Sequence, residues 1–350
     1  MNPSSADSLR ITRTERIEPS AMLLAELPLT PGARAGVVAA RTAIGEILAG
    51  RDNRLLCVVG PCSVHDVAAA REYAGRLKSL ADALYGQLLI VMRVYFAKPR
   101  TTVGWKGLIN DPDLNGSFAI GTGLRLARHL LVDLAELGLP AATEFLDPVT
   151  PHYLADAVAW GAIGARTVES QLHREVASAM PMPVGFKNAT SGSVKVAVDA
   201  LVAAREPHRF IGATAAGEVA VMTTAGNPRT HLILRGGTEG TNFGQGAVAE
   251  AVSMLAARAL EPRLMIDCSH GNCGRDAERQ PAVAREIANR FAEGEPGLMG
   301  LMLESHLVSG RQSLSENQPL RYGQSITDAC LGWDDTEALL REVAGLVAGR

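Results

Sequence analysis

One recurrence constrains this chain more than anything else: apolar run after apolar run breaks off on a polar or charged residue. Val58-Val59-Gly60-Pro61-Cys62, Val91-Met92-Arg93 with Lys98 just beyond, Ala142-Thr143-Glu144 and Ala165-Arg166 do so, as do Gly185-Phe186-Lys187, Leu234-Arg235, Ile266-Asp267-Cys268-Ser269-His270 and Leu303-Glu304. The runs are rich in Val, Ile and Leu, as parallel strands covered on both faces should be. Strand candidates near 54–59, 88–95, 140–145, 162–166, 182–187, 231–235, 263–267 and 298–304 alternate with helix candidates at 67–84, 121–137, 152–159, 170–179, 194–204, 247–259, 279–292 and 335–348. This predicts an α/β fold, a (β/α)8 TIM barrel, in which all the strand ends share one face. Several cations and possible metal ligands then meet in a single pocket, which suits an anionic substrate beside a bound metal.

Residues 1–50 read as an N-terminal extension for assembly or regulation, with a short amphipathic helix at 36–49, and 51–350 as the catalytic barrel. The stretch 208–224 has a Gly-containing middle between two β-like runs and reads as an antiparallel hairpin inserted before the strand at 231–235. No Gly-x-Gly-x-x-Gly opens a helix after a strand, which disfavours a dinucleotide-binding domain. Net charge is −3 with acids and bases mixed throughout, so neither a nucleic acid nor a membrane surface is an expected partner. The five cysteines form no paired zinc pattern, and their odd number fits poorly with a secreted disulfide framework. Residues 1–20 are polar and no apolar run reaches the ~20 residues that span a bilayer, so a reducing cytoplasm is the expected location.

Cys62, His270, Glu304 and Asp328 could offer a sulfur, an imidazole and two carboxylates to one divalent ion; the mixed set leaves Mn, Fe, Co and Zn open. Arg93, Lys98, Arg166, Lys187 and Arg235 sit at or just past strand ends, where they could neutralise a phosphate and a carboxylate, with arginine gripping oxygens bidentately. The stiffened loop Lys98-Pro99-Arg100-Thr101-Thr102 could hold a second phosphate, or could be a solvated basic turn. Asp66 reads as the N-cap of the helix at Val67 rather than as a catalytic group.

From Gly60-Pro61-Cys62-Ser63-Val64-His65-Asp66 through Arg93-Val94-Tyr95-Phe96-Ala97-Lys98-Pro99-Arg100-Thr101-Thr102, the chain resembles the type I 3-deoxy-D-arabino-heptulosonate 7-phosphate (DAHP) synthases. The resemblance continues in order through Gly164-Ala165-Arg166-Thr167, Gly185-Phe186-Lys187-Asn188, Leu234-Arg235-Gly236-Gly237, Ser269-His270-Gly271-Asn272, Glu304-Ser305-His306-Leu307 and Gly323-Gln324-Ser325-Ile326-Thr327-Asp328. It implies condensation of phosphoenolpyruvate with erythrose 4-phosphate to DAHP and phosphate, the entry to the shikimate pathway. Carried over residue by residue, Cys62, His270, Glu304 and Asp328 would ligate one divalent metal. Arg93, Lys98, Arg166, Lys187 and Arg235, with the Gly164-Ala165 backbone, would hold phosphoenolpyruvate. Arg100 and Thr101 would grip the erythrose phosphate, and Glu144 would stand near the phosphoenolpyruvate phosphate or the attacking water. Catalysis would rest on Lys98 with Cys62, His270 and Asp328. Cationic neighbours should lower the Lys98 pKa and fit it for proton transfer to the new alkoxide.

The resemblance also implies a homodimer or homotetramer, with a possible aromatic amino acid effector. Gly212, Ala213, Ala215, Ala216, His152 and Pro181 stand where relatives sensing phenylalanine or tyrosine tend to carry bulkier or more polar residues. An amino-acid site between the segment at Asp7 to Ile11 and the hairpin, for tryptophan or for none, is therefore the expectation. Two rivals compete. The sibling condensation with arabinose 5-phosphate is disfavoured by the Lys98–Thr102 run, and a catalytically silent paralogue is disfavoured because every metal and phosphate position is filled.

Overall fold

In a computed structural model, which describes residues 9–314 and 319–349, the chain forms a closed barrel of eight parallel strands. In chain order these are β1 (Leu55–Gly60), β2 (Leu88–Arg93), β3 (Ala141–Glu144), β4 (Trp160–Ile163), β5 (Val184–Lys187), β8 (Thr230–Leu234), β9 (Leu264–Asp267) and β10 (Leu298–Glu304), with β10 pairing back onto β1. Between β5 and β8 the chain leaves the barrel as the antiparallel hairpin β6 (Arg209–Ala213) and β7 (Val219–Thr223). Past the barrel, β11 (Val308–Arg311) and β12 (Gln324–Ser325) form a small parallel pair that brings the Asp328 loop back over the barrel. The strand expected at 162–166 ends at Ile163, which leaves Ala165 and Arg166 in the loop beyond it.

Ten α-helices accompany the strands among the described residues: α1 (Ser20–Glu26), α2 (Pro31–Leu48), α3 (Val67–Ala83), α4 (Ile120–Leu137), α5 (Pro151–Leu154), α6 (Gln171–Ser178), α7 (Lys195–Arg205), α8 (Gln245–Ala256), α9 (Gln280–Ala292) and α10 (Trp333–Val347). Asp66 caps α3 as expected, its Oδ1 accepting from Ala68 N at 2.8 Å and Ala69 N at 3.1 Å. The helix expected at 152–159 is a single α turn continued by a 3-10 turn at Ala155–Ala157. None of these helices is long and apolar enough to cross a membrane.

Two layers of core result. The outer one lies between strands and helices. The inner one fills the barrel with Leu56, Val58, Val91, Trp160, Met265 and Met302, and Ala40, Ile44, Ile47 and Leu48 of α2 join it. The helix expected at 36–49 thus starts earlier, at Pro31 after the N-cap Thr30, and plugs the barrel's lower end. Upstream of it, Leu9, Ile11, Ile17 and Met22 remain exposed. The hairpin rests on this upstream segment, with Ala215 O accepting from Ala21 N at 3.0 Å, while Ile211, Val219 and Val221 face outward. Asp7 lies outside the described residues.

Candidate active site

The strand ends meet as the apolar runs predicted, and close backbone approach sets how tightly. At the end of β1, a Cβ on Gly60 would stand 2.5 Å from Arg93 O, so only glycine lets β1 and β2 draw together there. Cys62 then falls beside Arg93, whose guanidinium is 1% exposed and donates to Pro61 O at 3.1 Å, Cys62 O at 3.1 Å and Glu304 Oε1 at 2.8 Å. It also stacks 3.5 Å above the Tyr95 ring. Glu304 is fixed in turn by Gln280, which donates to its carbonyl at 3.0 Å and accepts from its amide at 2.8 Å.

Donor atoms of Cys62, Glu304 and Asp328 lie within 4.8 Å of one another. Cys62 Sγ donates to Asp328 Oδ2 at 3.4 Å, and Lys98 Nζ lies 3.1 Å from the same sulfur and 3.9 Å from Asp328. Burial pushes the Cys62 thiol up to about 11, helped by the Glu304 and Asp328 charges. Asp328 goes the other way, to about 2: burial would raise it, but Lys98 and His270 outweigh that. A buried thiol facing two carboxylates is a donor set that suits a divalent ion, which would turn the thiol into thiolate.

Lys98 corrects an expectation. Burial alone would lower its pKa, but the ammonium stands among Cys62, Glu304 and Asp328 and their field raises it above the ordinary lysine range. Proximity to anions, which no one-dimensional reading of neighbouring arginines reveals, decides the sign.

The fourth expected ligand, His270, stands beside this trio without belonging to it: its Nε2 is 3.6 Å from Glu304 Oε1. His270 adopts φ +58, a conformation uncommon for a residue with a side chain. Its Nδ1 lies 2.9 Å from Asp267 Oδ2 and 2.7 Å from Ser269 Oγ. These partners direct Nδ1–H toward Asp267 and leave the Nε2 lone pair facing Glu304. Asp267 is fully buried, also accepts from Lys187 Nζ at 2.7 Å and from Ser269 Oγ at 2.5 Å, and is held well below the usual carboxylate range by His270 and Lys187 despite burial.

Above this lies a cavity of about 530 Å³ whose walls include Arg93, Lys98, Arg100, Thr101, Glu144, Gly164, Ala165, Arg166, Lys187, Arg235, His270, Glu304 and Asp328. Every expected site residue therefore reaches one space except Cys62, which is bonded to its neighbours just beneath. Arg166 Nε donates to Thr101 Oγ1 at 3.1 Å and ties the Arg100 loop to the rim. Arg235 has its pKa lowered by burial, with Arg166 and Arg275 adding repulsion, so like charges are held together with room for an anion between them. A Cβ at Gly164 would collide with Glu144 Oε1, so the Gly164 backbone and the Glu144 carboxylate share one edge of the cavity. Sequence reasoning assigned no role to Asp267 or Gln280, nor to Arg275 and Arg311, which also line the space. Asp267 ends a strand like the others and could have been found by that signal; the other three carry none.

The description DAHP synthetase I family belongs to a family model that matches residues 27–341. The chain belongs to that family. Among curated relatives it is 53% identical over 344 residues, 98% of both chains, to the Phe-sensitive phospho-2-dehydro-3-deoxyheptonate aldolase of Escherichia coli K12. It is 50% identical, over 98% of this chain and 99% of the relative, to the Trp-sensitive one of the same strain. A solved phospho-2-dehydro-3-deoxyheptonate aldolase from Francisella tularensis SCHU S4 superposes with a TM-score of 0.95 at 47% identity, covering 97% of this chain and 99% of that one. The family's barrel is thus the barrel described above, from the first helix-capped floor to the last strand.

Proposed function

We propose that this chain condenses phosphoenolpyruvate with D-erythrose 4-phosphate to give DAHP and inorganic phosphate, opening the shikimate pathway in the cytoplasm. The observation that carries the reading is the cationic cavity directly above the Cys62, Glu304 and Asp328 donors. The names of the relatives, which describe this aldol chemistry, support it.

Phosphoenolpyruvate is assigned to Arg166, Lys187 and Arg235 with the Gly164-Ala165 backbone, and Arg93 and Lys98 lie at its carboxylate end. Arg100 and Thr101, on the exposed rim, take the phosphate of the four-carbon sugar. Cys62, His270, Glu304 and Asp328 would hold one divalent ion of the Mn, Fe, Co or Zn kind, which supplies Lewis acidity to the aldehyde carbonyl. C3 of the enol phosphate forms a bond to the aldehyde carbon, and Lys98, arriving as an ammonium, gives its proton to the oxygen that gains charge. Water adds at C2, with Glu144 placed to orient it and take its proton. The C2–O bond to phosphate then breaks, and the anion leaves into the arginine and lysine walls.

A homodimer or homotetramer, and a regulatory amino-acid site between the N-terminal segment and the β6–β7 hairpin, belong to the same proposal. The Phe-, Tyr- and Trp-sensitive names of relatives support an aromatic effector. With Ala213 and Ala215 in the hairpin, the effector is assigned as tryptophan or none. Purified protein should consume phosphoenolpyruvate only with the aldose present, prefer erythrose 4-phosphate to arabinose 5-phosphate, and stop with chelator. Preference for the five-carbon sugar would sink the reading, and insensitivity to all three aromatic amino acids would sink its regulatory part.

A further inference from the structure

The lower end of the barrel, opposite the mouth, holds a second gathering of arginines. The segments leading into β1, β8 and β9 and the last turn of α7 place Arg51, Arg229, Arg263 and Arg205 around a cavity of about 290 Å³ that also reaches the buried His231. Two carboxylates share it. Glu46 is gripped by Arg51 at 2.5 and 2.8 Å, and Glu261 forms no ion pair among the described residues.

The remaining three guanidiniums form no ion pair among the described residues, and the Glu261 carboxylate acts on Arg205 only at longer range. Arg205 donates to Thr230 Oγ1 at 3.2 Å and Arg229 to Pro181 O at 3.0 Å, neutral acceptors that orient each fork without balancing its charge. The Arg263 side chain makes no hydrogen bond among the described residues, and its guanidinium lies against Gly50, where a Cβ would overlap it. All three are half-buried, so water satisfies them only in part. The repulsion is felt nearby: Arg41 is pushed down to about 10, by burial first and by Arg229 as well.

We infer that this lower cavity is a binding site for a phosphate group, carried either as the free ion or on a small monoester. Three guanidinium forks outside any ion pair, facing a single unpaired carboxylate and no lysine, match the planar, bidentate grip that arginine gives phosphate. The volume suits a phosphate with a short carbon stem. The inference stands apart from the reading of the mouth.

Calorimetric titration of the full chain with inorganic phosphate and with glycerol phosphate tests it, using two pairs of substitutions. With the mouth disabled by Arg166→Met and Arg235→Met, one site per chain should remain, and adding Arg205→Met and Arg263→Met should weaken it at least tenfold. The lower pair alone should leave kcat and KM within twofold. Tighter binding of the ester than of the ion assigns the monoester as occupant; the reverse assigns the free ion. Arg263→Met by itself, which sacrifices no hydrogen bond, serves if the Arg205 variant does not fold. Loss of all binding in the mouth variant, or a residual site indifferent to the lower arginines, would overturn the inference.

Discussion

Asp267 Oδ2 lies 2.9 Å from His270 Nδ1, and the same oxygen accepts from Lys187 at 2.7 Å. One buried carboxylate therefore orients an imidazole aimed at Glu304 and an ammonium aimed into the cavity. Asp267→Asn keeps the shape and removes the charge. Metal affinity, read by competition with a chelator, should fall about 10–100-fold, the usual cost of losing a ligand's outer partner. Unchanged affinity would remove Asp267 from the site.

Cys62 and Arg235 separate two kinds of loss. Cys62→Ala should purify without stoichiometric metal, while Arg235→Ala should keep its metal and bind phosphoenolpyruvate about tenfold or more weakly, as expected for a charge-assisted contact of roughly 1.5–3 kcal/mol. Elemental analysis with a phosphoenolpyruvate titration checks both. Full metal and activity in the cysteine variant would refute the ligand assignment.

Gly164 tests the role of Glu144. In Gly164→Ala the new methyl collides with the carboxylate and displaces it. Activity should drop at least tenfold while the melting temperature stays near that of the parent, because the barrel strand ends before this residue. A fully active variant would free Glu144 of any part in the reaction.

His231, buried at the lower end and accepting from Trp160 Nε1 at 2.8 Å, is held down to about 4 by burial, from the ordinary histidine value near 6.5. Between those values the unfolded chain binds a proton that the folded chain refuses. Its contribution is thus full above about 6.5 and is lost as pH falls toward 4, by about 3 kcal/mol at most. Denaturant titrations in phosphate-free buffers should show this slope, and His231→Gln should flatten it. An identical slope in the variant would assign the acid sensitivity elsewhere.

Much of this was legible because a strand covered on both faces must be apolar throughout, so a charge at its end is conspicuous. Arg93, Lys187 and Glu304 stand out for that reason, and all three face the cavity. The hairpin was legible from its turn chemistry, and the α3 cap from Asp66. Gln280 was not, because a lone polar residue at a helix start looks the same whether it faces water or holds the Glu304 backbone. The sign of the Lys98 shift was hidden too: it depends on Cys62 and Asp328, which are far away in the chain and adjacent in space. The α2 start at Pro31 escaped the periodicity reading because its first turns are small and mixed in polarity.

Since Ile44, Ile47 and Leu48 belong to the same apolar cluster as Leu56, Val58 and Met302, α2 is a stopper rather than a tail. Shortening the chain as far as Thr30 spares this seal, whereas starting at Leu55 would leave a ring of oily side chains open to water at the base. Anyone grafting a tag, a fusion partner or a circular-permutation joint onto this molecule therefore has to treat the segment from Thr30 onward as part of the vessel.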